Sequence, residues 1–194
     1  MKILSIPNEN GKMTCFWEEG ASSGKKPLII CLADKEEDAQ RDLNLLFSQA
    51  NGARVAALVV YPQTEETLVG DWLYSLRQRE DVDENRITLT GTLSAADWVW
   101  RLGSHFPQWF AGICAVGGYG DPYEVRAMKN VPVRAYLVEE EPQIIRKGKV
   151  AVNVDQLVMS LLTAGSECVE MRSMYEKNPW NKAIQGDGVV SWLL

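Results

Sequence analysis

The sequence predicts an α/β fold, a mainly parallel β-sheet flanked by helices on both faces, from three observations. Residues 27–33 and 53–61 are continuous apolar runs of strand length, which is typical of parallel strands buried on both faces. Each run is followed by apolar side chains at helical spacing, over residues 35–50 and 67–79. Residues 86–120 have the order strand, turn, helix, strand. Strands that alternate with helices indicate a parallel sheet, whose ligand sites lie at the carboxyl ends of the strands.

The remaining elements extend this pattern along the chain. Residues 13–18 alternate in polarity and predict an outer strand, and residues 131–138 and 168–175 predict two further strands. Residues 153–164 carry apolar side chains on one helical face, and residues 180–194 include a final helix. The number of predicted strands indicates a sheet of about six or seven strands.

Composition and charge limit the partners that this chain can have. The formal net charge of −6 and the isoelectric point near 4.9 argue against binding to a nucleic-acid backbone or an anionic membrane. No apolar run is long enough to span a bilayer, and the first residues lack the apolar segment of a signal peptide. We therefore expect a single cytoplasmic domain over residues 1–194 whose partner is a small molecule or a protein.

The four cysteines, Cys15, Cys31, Cys114 and Cys168, lie in apolar, strand-like surroundings. They form neither a CxxC motif nor a cluster with histidine, so their spacing gives no support to a zinc or redox site. We expect four buried, reduced thiols that pack as small apolar side chains, and we expect no metal and no cofactor.

The stretch over residues 86–120 organises the rest of the chain. Ile87 and Leu89 belong to a short buried strand, and the period changes from two to 3.6 at Ser94. Ser94 precedes the first helical turn, so its hydroxyl is predicted to cap the free backbone N–H groups of that turn. Residues 110–116 form the second strand, and the whole stretch predicts a βαβ unit.

This stretch resembles the nucleophile elbow of the α/β-hydrolase superfamily, in its esterase, dienelactone hydrolase and polyhydroxybutyrate depolymerase-like branch. The resemblance covers roughly residues 27–194 and implies a minimal α/β-hydrolase domain without a lid domain. The residues that match the family segment, without a gap, are Arg86, Ile87, Leu89, Thr90, Gly91, Trp100, Arg101, Leu102, His105, Pro107, Phe110 and Ala111.

The same match without gaps shows where this chain departs from the family. The nucleophile position holds Leu93, and Ser94 comes one residue later. The two glycine positions that follow the nucleophile hold Ala95 and Ala96. In the family, glycines beside the nucleophile allow a strained turn and a close approach of strand and helix. A shift of one residue at the turn would exchange Leu93 and Ser94, so the sequence leaves open which of them faces the cleft.

The other catalytic motifs of the family have changed as well. The oxyanion loop, where the family usually has His-Gly, holds Ala33 and Asp34. The position of the acid holds Glu141, which could orient a histidine or be a solvated charge. By simple count, Lys177 occupies the position of the catalytic histidine. Triad chemistry needs a nucleophile, a general base, an orienting acid and oxyanion donors, so efficient esterase activity is not expected.

The histidine and the aromatic residues of the chain complete this comparison. The one histidine, His105, lies at the end of the central helix, where the family often has a non-catalytic histidine. Trp180 matches the tryptophan that follows the catalytic histidine, and Asn178 lies beside Lys177. Trp180 and Tyr119 fall on loops that border the cleft, where they could line a ligand pocket or simply pack.

Three functional hypotheses follow. The leading one is a non-catalytic member of the family, a pseudoenzyme whose cleft binds a ligand or a protein, with an acidic rim that suits a cationic ligand or basic peptide. The alternative is a serine hydrolase or esterase with an altered site, using Ser94 with Lys177 or Glu141. The third is a subunit whose partner supplies groups or is regulated by it, and the oligomeric state stays open. The residues predicted to surround the cleft are Ala33, Asp34, Leu93, Ser94, Glu141, Asn178 and Trp180.

Overall fold

The computed structural model describes residues 2–8, 11–18, 24–61, 64–138, 151–175 and 178–194. Eight strands form one sheet in the order β1-β2-β4-β3-β5-β6-β7-β8. The strands are β1 (Lys2–Asn8), β2 (Gly11–Glu18), β3 (Lys26–Ala33), β4 (Arg54–Val59), β5 (Val82–Thr92), β6 (Gly112–Val116), β7 (Val133–Val138) and β8 (Val169–Met174). The α-helices are α1 (Glu36–Phe47), α2 (Glu66–Arg77), α3 (Ser94–His105), α4 (Val154–Thr163), α5 (Pro179–Asn181) and α6 (Val189–Leu193).

The sheet is mainly parallel, as the sequence predicts. Strands β3 to β8 pair with one another in parallel, whereas β2 pairs antiparallel with β4 and β1 pairs antiparallel with β2. The described residues form eight strands rather than six or seven, because the prediction overlooked β1. The sequence of β1, KILSIPN, mixes polar residues and a proline with apolar ones, and the strand is held by pairing along its length with β2.

Helices cover both faces of the sheet, which confirms the predicted layers. Strands β4 and β6 are buried at every residue, as parallel strands covered on both sides should be. One apolar cluster joins the sheet to α2, α3 and α4 through Trp72, Trp98 and Leu157, and we call this side the α3 face. The second cluster joins the sheet to α1, α5 and α6 through Leu43 and Trp180, and we call this side the α1 face.

The cysteines follow the prediction at three of four positions. Cys15, Cys31 and Cys114 are buried free thiols, and burial raises the pKa of Cys15 and of Cys114 to about 12. Cys168 is also a free thiol, but it is exposed, so the prediction of a buried side chain is wrong there. The reason is its position just before β8, which is the edge strand of the sheet. Within the described ranges, no helix combines the length and the apolar character needed to cross a membrane.

Candidate functional site

The turn between β5 and α3 is formed by Leu93, which has an unusual backbone conformation. Its φ of 52° and ψ of −125° correspond to the first central residue of a type II′ turn, a position that glycine normally occupies. The Leu93 amide donates a hydrogen bond of 2.8 Å to the carbonyl of Val116, which ties the turn to the end of β6. The Leu93 side chain is 41% exposed. The strained residue of this elbow is therefore Leu93, at the position where the family resemblance places the nucleophile.

One glycine on β5 and one just after β6 allow α3 to lie very close to the sheet behind this turn. A Cβ atom on Gly118, whose φ is 87°, would lie 2.7 Å from the Cβ of Ala96. A Cβ atom on Gly91 would lie 2.9 Å from Cγ2 of Val99. The close approach of strand and helix therefore persists although the helix carries alanine where the family has glycine.

Ser94 is the first residue of α3 rather than its cap. The capping position belongs to Leu93, and no side chain accepts a hydrogen bond there, so the predicted N-cap role of Ser94 is wrong. An N-cap residue has a non-helical backbone conformation. At this turn Leu93 has that conformation, so Ser94 falls one position inside the helix. The exposed hydroxyl of Ser94 donates instead to Oδ2 of Asp34, at the end of β3. Burial raises the pKa of Asp34, and the hydrogen bond from Ser94 opposes that shift.

A cavity of about 250 Å³ opens beside Leu93 at the carboxyl ends of β3 and β5. It lies between α1, the elbow and the start of α5. The residues that line it are Ala33, Asp34, Asp38, Arg41, Asp42, Thr92, Leu93, Ala95, Asn178, Pro179 and Trp180.

An aspartate of α1 is buried against this cavity. The Asp42 side chain is 1% exposed, and its Oδ1 accepts from Nε and Nη2 of Arg41, each at 2.9 Å. Nη1 of Arg41 also donates to Oδ1 of Asp38 at 2.7 Å. Burial raises the pKa of Asp42 to about 6, although the guanidinium of Arg41 acts in the opposite direction.

Two buried polar atoms at this cavity have no hydrogen-bond partner within the part of the chain that the structure describes. They are Oδ2 of Asp42, an acceptor, and Nε1 of Trp180, a donor on a side chain that is 2% exposed. A hydrogen-bonding contact from the Trp180 indole also lowers the pKa of Asp42, so the two side chains face each other although the contact falls short of ideal hydrogen-bond geometry. Both atoms are shielded from solvent, so the donor and the acceptor each have the other as the nearest compensation for a missing partner.

The structure brings most of the predicted cleft residues together. Ala33, Asp34, Leu93, Asn178 and Trp180 all line the cavity, and Ser94 lies beside it through its bond to Asp34. The Asn178 side chain caps α5 by accepting from the amide of Asn181 at 3.2 Å.

Three further predicted residues are not among those that line the cavity in the described ranges. Glu141 and Lys177 lie outside the described residues, so their predicted roles stay predictions. Tyr119 is buried, and its amide donates to Asp97 at 2.6 Å, but it is not among the residues that line the cavity.

The one histidine of the chain is remote from the elbow. His105 ends α3, which begins at Ser94, so the rise of the helix separates the two residues by about 16 Å. Nδ1 of His105 contacts Oε1 of Glu66, and Nε2 lies 3.3 Å from Oε2 of Glu124. This histidine is therefore held between two carboxylates at the opposite end of the helix.

Sequence reasoning anticipated Asp38 as part of an acidic rim over residues 34–38, but it missed two charged residues of the cavity, Arg41 and Asp42. The signal for Asp42 was present, because it lies beside Leu43 and three residues after Ala39, on the apolar face of α1. A charged residue on such a face is either paired or functional. In the described ranges, no group of three or more His, Cys, Asp or Glu side chains is arranged to hold a metal ion.

Comparisons with known proteins identify the fold. No protein-family model matches the chain, and no curated protein is significantly similar to it. The chain superposes on a thermostable esterase with a TM-score of 0.78 and 18% identity, over 99% of this chain and 61% of the esterase. The TM-score with an esterase from the archaeon Pyrobaculum calidifontis is 0.68 at 9% identity, over 99% of this chain and 82% of the esterase. The TM-score with a ferulic acid esterase is 0.66 at 12% identity, over 100% of this chain and 99% of the esterase.

These neighbours are named as esterases, and the chain spans only 61% of the first of them. At such low identities the similarity extends to the fold and not to the activity. The chain has the α/β-hydrolase fold.

Proposed function

We propose that this protein is a non-catalytic member of the α/β-hydrolase superfamily that binds a ligand in the cleft beside Leu93. The observation that carries the proposal is the backbone of Leu93, which holds the strained conformation of the elbow. In the family resemblance this position carries the nucleophile. A leucine side chain has no lone pair or acidic proton, so it supplies no nucleophile for acyl transfer.

The surroundings of the elbow support the same proposal. A serine triad needs a histidine within hydrogen-bond reach of the nucleophile, and the one histidine of this chain is held by Glu66 and Glu124 at the far end of α3. Asp34 lies where the resemblance places the oxyanion loop. A carboxylate there disfavours the negative charge that develops during acyl transfer.

The second candidate is a serine hydrolase that uses Ser94. The esterases among the structural neighbours favour this candidate over a non-catalytic protein. The bond from Ser94 to Asp34 also favours it, because a carboxylate that accepts from a hydroxyl group can take its proton. Lys177 and Glu141 remain the other bases that the sequence predicts. We place this candidate second because Ser94 is one residue beyond the elbow.

Hydrolysis of a panel of short-chain activated esters, with labelling by a serine-directed fluorophosphonate, separates the two candidates. Ser94→Ala removes the hydroxyl in question, and Ser75→Ala removes an exposed hydroxyl on α2 as the matched control. We expect neither turnover nor labelling that depends on Ser94. Turnover that Ser94→Ala lowers a hundredfold or more, while Ser75→Ala leaves it unchanged, would establish the hydrolase and overturn the non-catalytic proposal.

The cytoplasmic location and a partner that is a small molecule or a protein belong to this proposal as predictions from the sequence. The acidic isoelectric point supports them only by disfavouring nucleic acids and anionic membranes.

A further inference from the structure

Strand β8 is one edge of the sheet, and it is less protected against pairing than the other edge strand, β1. Among the described residues, β8 pairs only with β7. Natural edge strands are commonly protected by lysine or proline residues. Strand β1 carries Lys2 and Pro7, whereas β8, with the sequence VEMRSM, carries neither and leaves Met171 at its centre 43% exposed. Of the two edges, β8 is therefore the one more open to a further strand.

The backbone of β8 directs the polar groups of alternate residues away from β7. The amide of Val133, on β7, donates to the carbonyl of Cys168 at 2.9 Å. Even-numbered residues from Cys168 onward therefore direct their N–H and C=O groups towards β7. By the same alternation, Val169, Met171 and Ser173 direct theirs towards the free edge. Another strand can bond to these three residues without disturbing the pairing of β7 with β8.

The side chains of β8 favour one register if the added strand is β8 of a second copy. Antiparallel pairing about a two-fold axis at Met171 places Glu170 directly opposite Arg172 of the partner subunit. An axis at residue 170 or at residue 172 also keeps the backbone groups in phase. Those two registers place glutamate opposite glutamate or arginine opposite arginine, which is unfavourable. Charge complementarity therefore selects the axis at Met171.

The two charged side chains of β8 have neighbours in their own subunit but remain accessible. Glu170 contacts Nε of Arg134, and the Glu170 side chain is 43% exposed. Nη1 of Arg172 lies 3.5 Å from Oδ2 of Asp187, and the Arg172 side chain is 41% exposed. Both side chains can therefore meet a further partner at the edge of the sheet.

Helix α4 extends this edge with exposed apolar side chains. A Cβ atom on Gly120 would lie 3.1 Å from Cβ of Trp100 and 3.3 Å from Cδ1 of Leu157, so Leu157 faces α3. Leu162 lies about 140° further around the helix, on the side of β8, and Met159 is adjacent to it. Both of these side chains are exposed. Specific interfaces bury about 1,200–2,000 Å² in total, so α4 supplies area that pairing of a short strand lacks.

We propose that a second copy of this chain binds at β8, so that the two sheets join into one continuous sheet across a two-fold axis at Met171. Met171 exchanges both backbone hydrogen bonds with Met171 of the partner subunit, and Val169 exchanges both with Ser173 of the partner subunit. The axis is perpendicular to the sheet, so α4 lies beside α4 of the partner subunit. None of the residues that line the cavity belongs to β8 or α4, so this inference is independent of the proposed function.

Analytical ultracentrifugation of the wild-type protein and of two Met171 variants tests the dimer. We expect the wild type to have twice the mass of the 21.7 kDa chain, with a dissociation constant of about 10 μM or lower. Met171→Pro removes an N–H group that points away from β7, so each subunit keeps its own pairing but loses bonds to its partner. Met171→Lys places two positive charges opposite each other on the axis. Each variant should weaken dimerisation by about tenfold or more.

Ile3→Lys is the matched control, because it introduces the same charge at an exposed apolar residue of the opposite edge strand. It should leave the dimer unchanged, and circular dichroism checks that every variant is folded. If Met171→Pro fails to fold, Met171→Lys still decides the question. A wild-type protein that is monomeric at about 0.1 mM would overturn the inference and leave this edge for a different protein. A dimer that Met171→Lys leaves intact would overturn it as well, because the interface would then lie elsewhere.

The register has a test of its own. Arg172→Glu alone places like charges opposite each other, and so does Glu170→Arg alone. A mixed pair of these two variants restores opposite charges at both positions. We expect each variant alone to be monomeric where the wild type is dimeric, and we expect the mixture to dimerise. A mixture that stays monomeric while both variants are folded would overturn the axis at Met171.

Discussion

Trp100 and Trp180 are both buried, one on each face of the sheet, yet their indole N–H groups have different environments. Nε1 of Trp100, on the α3 face, donates to the carbonyl of Gly117 at 3.2 Å. Nε1 of Trp180, on the α1 face, has no partner within the described ranges and lines the cavity. The first donor has a well-formed partner, whereas the second has only a contact with the Asp42 carboxylate that falls short of ideal hydrogen-bond geometry. The comparison separates a fully satisfied buried donor from a poorly satisfied one beside the cavity.

Leu93 lies where these two regions meet. It begins the turn into α3, whose close packing needs Gly91 and Gly118, and it also lines the cavity. Its backbone retains the shape of a nucleophile elbow, while its side chain is aliphatic. The shape of an active site can therefore persist without the group that would carry out the reaction.

The largest effect that we expect comes from Asp42→Asn, which tests the polar character of the α1 face. Burial raises the pKa of Asp42 from 3.8 to about 6, so the folded state binds this proton more tightly than the unfolded chain. This tighter proton binding stabilises the folded state fully when the pH is below the pKa of Asp42 in the unfolded chain. The stabilisation is lost as the pH rises through the pKa of Asp42 in the folded protein. Because asparagine has no charge to bury, Asp42→Asn should stabilise the protein by up to about 3 kcal/mol at about pH 8.

Urea denaturation of Asp42→Asn and of the wild-type protein measures this difference. The gain should disappear at about pH 4, where Asp42 is protonated in the folded state. Asp71→Asn, at an exposed site, should show no such dependence on pH. A loss of stability for Asp42→Asn at both values of pH would mean that the Asp42 carboxylate stabilises the fold through Arg41, and the contrast between the faces would then be wrong.

The pair Trp100→Phe and Trp180→Phe addresses the contrast directly. Both changes remove an indole N–H group from a buried site, with similar loss of packing. Trp100→Phe also leaves the carbonyl of Gly117 without its donor, whereas Trp180→Phe removes a donor whose contact with Asp42 falls short of ideal hydrogen-bond geometry. We expect the free energy of unfolding to fall by about 2 kcal/mol more for Trp100→Phe than for Trp180→Phe. Thermal or urea denaturation compares them, and equal losses would contradict the distinction between the two indoles.

The sequence was sufficient for most of the fold, because the features that define it are local. Apolar runs such as residues 27–33 and helical spacing such as residues 35–50 report burial within a few residues of the chain. Strand β1 was missed because a mixed sequence becomes a strand only through its pairing with β2. Cys168 was expected to be buried because it begins a predicted strand, but it is exposed, and that strand, β8, is the edge of the sheet.

The candidate site was only partly predictable, for the same physical reason. The match to the family segment placed Leu93 correctly at the turn. Because this match has no gaps, the spacing of its residues fixes the position of the turn. The partner of Ser94 was missed because Asp34 meets it only through the parallel pairing of β3 and β5. The place of Asp42 on the apolar face of α1 signalled its burial, but its contact with Trp180, from the other end of the chain, is not local. Contacts between residues distant in sequence thus decide the chemistry of the cavity, while the local pattern decides only its place.

The smallest effect that we expect concerns the turn that joins the two regions. Leucine at a φ of 52° and a ψ of −125° is strained, by about 1–3 kcal/mol, while glycine adopts this conformation freely. Leu93→Gly should therefore be more stable than Leu93→Ala by about 1 kcal/mol, since both remove the side chain and only alanine retains a Cβ atom. This order is the reverse of that in an ordinary helix, where alanine is favoured over glycine by a similar amount. Thermal denaturation of the two variants measures it, and greater stability of Leu93→Ala would show that the turn at residue 93 does not have the conformation of an elbow.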